Sequence, residues 1–228
     1  MCGRFTITVT IGLAERFGVT HCEIPVLPRY NIAPSQAVPV IFQDENGTRA
    51  CVPMRWGLIP SWAKDPAAMR RSINARAETL AERSSFRPLL EHHRCLIPAN
   101  GFFEWKKMGK TAFPYYIHRK DDALFAFAGL YDPGRSPDGE LTWTCVIITT
   151  PPNPLVSGYH DRMPAILMPE DEDRWIDPLP PSPEEQREIL VPYPDDLLEV
   201  YRVSTAVNKP DAEGAHLIAR SRNGTLPV

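Results

Sequence analysis

Apolar residues in this chain fall mostly in short runs or at every second position, which is the pattern of buried or half-buried strands rather than of amphipathic helices. The segments read as strands are 38–42, 51–58, 95–98, 101–106, 115–118, 124–130, 143–149, 165–168 and 200–203. Helical spacing is confined to short pieces: 11–17, capped by Thr10 and stopped by Gly18, then 77–82, 87–92, 169–175 and 183–190. The last carries Ser182 at the N-cap, Pro183 at N1 and Glu185 at N3, the arrangement of a capping box. Asn31-Ile32-Ala33-Pro34 reads as a turn into the strand at 38. The 25 prolines are spread throughout and oppose long helices. Strands outnumber helices without alternating regularly with them, so the expected class is α+β, not a doubly wound parallel sheet.

A length of 228 residues, 43% of them hydrophobic, allows a sizeable core, and we read a single domain over 1–228 with a C-terminal tail from about 211. No charged segment leads into an apolar stretch at the start, and no run approaches the roughly 18 apolar residues of a membrane span. A cytosolic or nuclear monomer with no membrane partner is expected: cytoplasmic, and nucleoid-associated in a bacterium. Cys2, Cys22, Cys51, Cys95 and Cys145 form no CxxC pair, and their odd number predicts reduced thiols rather than a disulfide framework. His92, His93 and Cys95 cluster, but four well-spaced zinc ligands are missing, so no metal and no other cofactor is expected. The net charge of −3 conceals an asymmetry. Residues 1–120 hold 17 Lys+Arg against 9 Asp+Glu, a balance of +8, whereas 121–228 hold 8 against 19, a balance of −11. A basic groove from the first half would bind phosphates locally despite the acidic total, unless folding mixes the halves.

Cys2 follows Met1 and is small, the context in which an initiator methionine is trimmed. The mature residue would join an α-amine, reference pKa about 7.7 to 8.0, to a thiol of about 8.5. Such an aminothiol captures an aldehyde twice, first as an imine and then by ring closure to a thiazolidine. The plainer reading of Cys2 is a packed cysteine near a terminus. Glu104 lies in Gly101-Phe102-Phe103-Glu104-Trp105-Lys106-Lys107, where alternation sets Phe102, Glu104 and Lys106 on one face and Phe103 and Trp105 on the other. A carboxylate among aromatics has a raised pKa and suits proton transfer; a surface pairing with Lys106 or Lys107 is the alternative. His160, in a loop-like Gly158-Tyr159-His160-Asp161-Arg162, is either catalytic or solvent-facing, and Arg162 stands ready to hold a phosphate beside it. Asn74 and Arg76 share one side of an extended segment and would face one ligand, unless Asn74 forms an Asx-turn and Arg76 pairs with Glu78. Arg4, Arg55, Arg70, Arg71, Arg83 and Arg87 add positive charge, and Trp62 either stacks on a base or belongs to the core. No Walker loop or dinucleotide fingerprint is present.

Six ordered strings, Met1-Cys2-Gly3-Arg4-Phe5, Arg29-Tyr30-Asn31-Ile32-Ala33-Pro34, Trp56-Gly57-Leu58-Ile59-Pro60, Ile73-Asn74-Ala75-Arg76-Ala77-Glu78-Thr79, Gly101-Phe102-Phe103-Glu104-Trp105 and His160-Asp161-Arg162-Met163-Pro164, resemble the SRAP (SOS response-associated peptidase) family over residues 2 to about 210. The resemblance implies a barrel-like fold of mostly antiparallel strands with short flanking helices. It also implies recognition of abasic sites in single-stranded DNA and covalent attachment through an N-terminal cysteine. By motif match Cys2 is the nucleophile, Asn74 orients it or the opened sugar, Glu104 shuttles protons, and His160 assists sugar opening and crosslink reversal. Arg4, Arg76 and Arg162 match phosphate-contacting positions, Trp62 an aromatic near the DNA, and Thr149 a position lining the site. Ala63 stands where some relatives carry a second tryptophan, which implies weaker stacking. Three rivals remain: an N-terminal-nucleophile amidohydrolase acting on glutamine, a peptidase cleaving before Cys2, and a non-covalent single-strand-binding module.

Overall fold

The computed structural model describes residues 2–22, 26–63, 65, 71–135 and 141–221. Its strands are β1 (Phe5–Ile7), β2 (His21–Cys22), β3 (Arg29–Ile32), β4 (Ala37–Gln43), β5 (Arg49–Trp56), β6 (Asn74–Arg76), β7 (Arg94–Ala99), β8 (Gly101–Met108), β9 (Thr111–Arg119), β10 (Phe125–Arg135), β11 (Leu141–Thr150), β12 (Met163–Pro164) and β13 (Leu198–Arg202). The α-helices are short: α1 (Leu13–Arg16), α2 (Arg87–His92), α3 (Pro154–Ser157), α4 (Pro169–Ile176) and α5 (Pro183–Ile189). The expected α+β class with strands dominant is the observed one.

Strands β11, β10, β7, β4 and β5 pair in that order, and β5 returns to β11. The closing contact is parallel, with Thr144 opposite Arg55 and Cys145 opposite Trp56, while the other four pairings are antiparallel. Five strands therefore close a mixed barrel, which removes the unpaired edges an open sheet would present. β12 and β6 flank β11, and β2 flanks β5. A second sheet runs β13-β9-β8-β1-β3. The chain passes from barrel to second sheet at Asn100, between β7 and β8. Its carboxamide accepts from Thr6 Oγ1 and Thr8 N, which fixes β1 across the junction.

β7 is buried at every position, consistent with its continuous apolar run. Phe5 of the second sheet meets Trp56 and Phe127 of the barrel edge-on, at 5.2 and 5.6 Å between ring centres, so both sheets share one core. The alternation along β8 holds. Phe102 enters that core, whereas Phe103 joins Tyr116, Val203, Val207 and Leu217 in a smaller cluster on the opposite face. Residues 211–221, set apart as a tail by sequence, pack here: Leu217 is buried and Ser221 N donates to Arg202 O. Residues 222–228 lie outside the described part.

Several expectations need correction. Cys22 and Cys51 form a disulfide, because the parallel pairing of β2 with β5 sets them directly opposite, Cα atoms 4.5 Å apart; Cys2, Cys95 and Cys145 are free and buried. The helix expected at 11–17 shrinks to Leu13–Arg16, because Gly12 takes φ 77° at its N-cap and Thr10 contributes only its carbonyl. The helix expected at 77–82 is a 3₁₀ turn, Ala77–Thr79, which directly follows strand β6. The turn expected at 31–34 is displaced to 33–36, because Asn31 and Ile32 complete a strand, Arg29–Ile32, paired to β1. The capping box at Ser182 and Glu185 forms as expected.

Candidate active site

The ladder between β1 and β8 sets Phe5 against Phe102, and one step beyond it Phe103 N donates to Arg4 O. Glu104 and Cys2 thereby come alongside. Cys2 has 0% and Glu104 3% of its surface exposed. Burial, reinforced by the Glu104 charge, holds the Cys2 thiol far above its ordinary value, and the thiol donates weakly to Arg4 O at 3.8 Å. Burial likewise raises Glu104 to about 7, with nearby Asp161 adding to the shift. The pair is thus an uncharged thiol beside a carboxyl that titrates near neutrality. Glu104 is therefore a buried carboxyl, not the surface glutamate of the alternative reading.

Asn74 arrives on β6, which pairs in parallel with β11 at Ile147, Ile148 and Thr149. Its Nδ2 donates to Cys2 O at 2.9 Å, while Oδ1 is buried without a hydrogen-bond partner among the described residues. This strand geometry replaces the Asx-turn reading. Thr149 is fully buried, its hydroxyl donating to Ala75 O. Arg76 is exposed.

His160 sits after α3, whose N-cap Asn153 accepts from Val156 N and donates to Tyr193 O. The backbone of His160 is tied to Val156 O, and its Nδ1 accepts from Arg162 N at 2.9 Å. Burial lowers its pKa, with Asp161 opposing. The imidazole lines an open groove of about 460 Å³ with Trp105, Lys106, Lys107 and Tyr159, and the Lys106 ammonium lies 5.2 Å from the Tyr159 ring centre.

The two other candidate phosphate arginines are engaged internally. Arg4 donates to Asn31 Oδ1 and to the carbonyls of Val207 and Asn208. Arg162 donates to both carboxylate oxygens of Glu78 and to Thr149 O and Oγ1. Trp62 is 58% exposed, not core, and borders a separate cavity of about 270 Å³ with Ser61, His92, His93 and Asp132. None of the four catalytic candidates lines that cavity. Of the additional arginines named from sequence, Arg70 lies outside the described residues.

Sequence reasoning missed Asn31, Asn208 and Glu78 as site supports. Asn208 Oδ1 accepts from Trp105 Nε1, so one short segment steadies the neighbours of both Cys2 and Glu104. Asn31 and Glu78 lay inside the strings already quoted, and Asn208 had no local signal. No three His, Cys, Asp or Glu side chains among the described residues converge as a metal site would require.

Fold and cluster together define a mixed-barrel protein in which Cys2, just before the first strand, lies beside Glu104 of β8, with Asn74 bonded to the Cys2 carbonyl and His160 in the adjoining groove. The family model described as SOS response associated peptidase (SRAP) matches residues 1–210, and the chain belongs to that family. It is 45% identical over 222 residues to "Abasic site processing protein YoqW" of Bacillus subtilis, covering 96% of this chain and 99% of that protein. It is 33% identical over 212 residues to "Abasic site processing protein HMCES" of Gallus gallus, covering 79% of this chain and 62% of that one. A crystal structure of a Bacteroides thetaiotaomicron protein superposes with TM-score 0.85 at 29% identity, over 96% of this chain and all of the other.

Proposed function

We propose that this protein processes abasic sites in single-stranded DNA by joining itself to them through a thiazolidine at Cys2. The observation that carries the reading is the placement of Cys2, fully buried beside buried Glu104 with its carbonyl held by Asn74 Nδ2 at 2.9 Å; burial there lifts Glu104 to about 7. Relatives named for abasic site processing, matched over nearly the whole chain, support the substrate. With Met1 attached, the nitrogen of Cys2 is an amide; the reactive form is the chain without it.

An abasic deoxyribose interconverts with an open-chain aldehyde. As the ring opens, the C1′ hydroxyl gives up its proton and O4′ takes one, so no net proton is consumed; His160 carries that proton, and ring closure reverses the transfer. Ionised Glu104 takes a proton from the Cys2 ammonium, the freed amine adds to C1′, and the carbinolamine hydroxyl leaves as water with that same proton, giving an iminium ion. The thiol then adds to the iminium carbon and gives its proton to the Glu104 carboxylate. One C–N and one C–S bond form, and one water departs. Asn74 Oδ1 accepts from the Cys2 nitrogen or a sugar hydroxyl. Exposed Arg76 meets a phosphate; Arg4 and Arg162 add positive field, and a phosphate at either must exchange for a present acceptor. Trp62 stacks on a base beyond the sugar.

The test uses protein whose Met1 removal is verified by mass spectrometry, incubated with abasic and with intact single strands and then boiled. A heat-stable adduct with the mass of protein plus DNA minus one water should form only with the abasic strand. A Cys2→Ala protein that still gave the stable adduct would refute the reading.

A further inference from the structure

Arg162 offers a different role from phosphate contact. Its side chain is 11% exposed, and both terminal nitrogens are occupied, NH1 by Glu78 Oε1 at 2.5 Å and NH2 by Glu78 Oε2, Thr149 O and Thr149 Oγ1 at 2.9, 2.6 and 3.3 Å. Its Nε is buried without a partner among the described residues. The same residue's backbone N–H donates to His160 Nδ1. A planar guanidinium gripped by both oxygens of one carboxylate is fixed in orientation as well as position. Glu78 stands on the 3₁₀ turn directly after β6, so the grip joins the strand bearing Asn74 to the loop bearing His160.

We propose that Glu78 is a positioning residue for His160, acting through Arg162: the bidentate grip holds the Arg162 N–H on Nδ1 and thereby keeps the proton of the neutral ring on Nε2. A nitrogen that accepts a hydrogen bond carries no proton, so this contact selects the tautomer. A competing partner waits at the same atom, since Asp161 Oδ1 lies 2.8 Å from Nδ1. The two contacts exclude each other in the neutral ring, because Nδ1 pairs with Asp161 only when it bears hydrogen. Release of Arg162 frees Nδ1 to take the proton and turn to Asp161.

Glu78→Gln replaces one carboxylate oxygen by an NH₂ that repels the guanidinium and so breaks the grip; Glu78→Asp keeps two oxygens. The role rests on His160 acting in crosslinking, so two independent readouts are needed. The first is the ¹⁵N spectrum of the His160 ring in the free protein. Wild type and Glu78→Asp should show the Nε2–H form, and Glu78→Gln a shift toward Nδ1–H. The second is the rate of adduct formation on abasic DNA, expected to fall about tenfold in Glu78→Gln and to recover at least partly in Glu78→Asp. Affinity for intact single strands should stay within about twofold. An unchanged ring spectrum in Glu78→Gln overturns the proposal whether or not any adduct forms. So does markedly tighter binding of intact strands, which would make Glu78 a competitor for phosphate. Absence of adduct in wild type with the tautomer shift present would instead remove the functional reading and leave the positioning intact.

Discussion

Glu104 shows how much one side chain's surroundings govern its chemistry. In the unfolded chain it is an ordinary carboxylic acid; in the fold burial lifts it to about 7. The folded state therefore holds its proton more tightly than the unfolded state. The stability this contributes is complete below about pH 4.5 and drains away as pH rises through 7. In Glu104→Gln, stability relative to wild type should improve by about 3 kcal/mol between pH 4.5 and pH 8, read by urea unfolding at both. Adduct formation, by contrast, should rise through about pH 7 in wild type and lose that limb in the variant. A carboxylate between aromatic residues was legible in the local string, and so was the value of a cysteine at position 2. Glu78 was not, because its partner Arg162 lies 84 positions away and only the fold joins them.

Elements of five or more residues were largely legible, since alternation, capping and apolar runs are local signals. Glu104's strand β8 was legible, but the shorter elements around the site were not: β1, β3 and β6 have three, four and three residues, too few to display a period. The four-residue helix α3 was missed for the same reason, although its N-cap Asn153 is followed by Pro154. That cap has a functional consequence. Asn153→Ala removes the acceptor for Val156 N and leaves Tyr193 O without its donor, at a cost of about 2 kcal/mol. The loss should concentrate in the next turn, where Tyr159 N and His160 N both donate to Val156 O. Hydrogen exchange should quicken at those two amides well before it changes in β7.

At the scale of the whole molecule, closure of the barrel was beyond the sequence reading, because parallel pairing of β5 with β11 joins segments almost ninety residues apart along the chain. The same long-range geometry set Cys22 against Cys51. It also redistributes charge. Arg16 pairs with Glu172, Arg29 with Glu213 and Arg49 with Asp173, so acidic groups of the second half neutralise part of the first half's excess. Arg76 and the two lysines beside His160 take part in none of these ion pairs. Binding of intact single strands should accordingly weaken in Arg76→Ala, and the slope of log affinity against log salt should shrink by about one, measured by fluorescence anisotropy across a salt series.

Arg4 and Asn31, near the amino end, are gripped by the carbonyls of Val207, Asn208, Lys209 and Ala212, near the other. These contacts join residues 178 to 204 positions apart, and loops of that size close late. During synthesis the first strand therefore emerges long before these partners exist, and the reactive centre is fully assembled only once residue 212 has been made. A ribosome-stalled fragment ending before residue 203 would carry all four catalytic candidates yet lack the clasp that seats two of them.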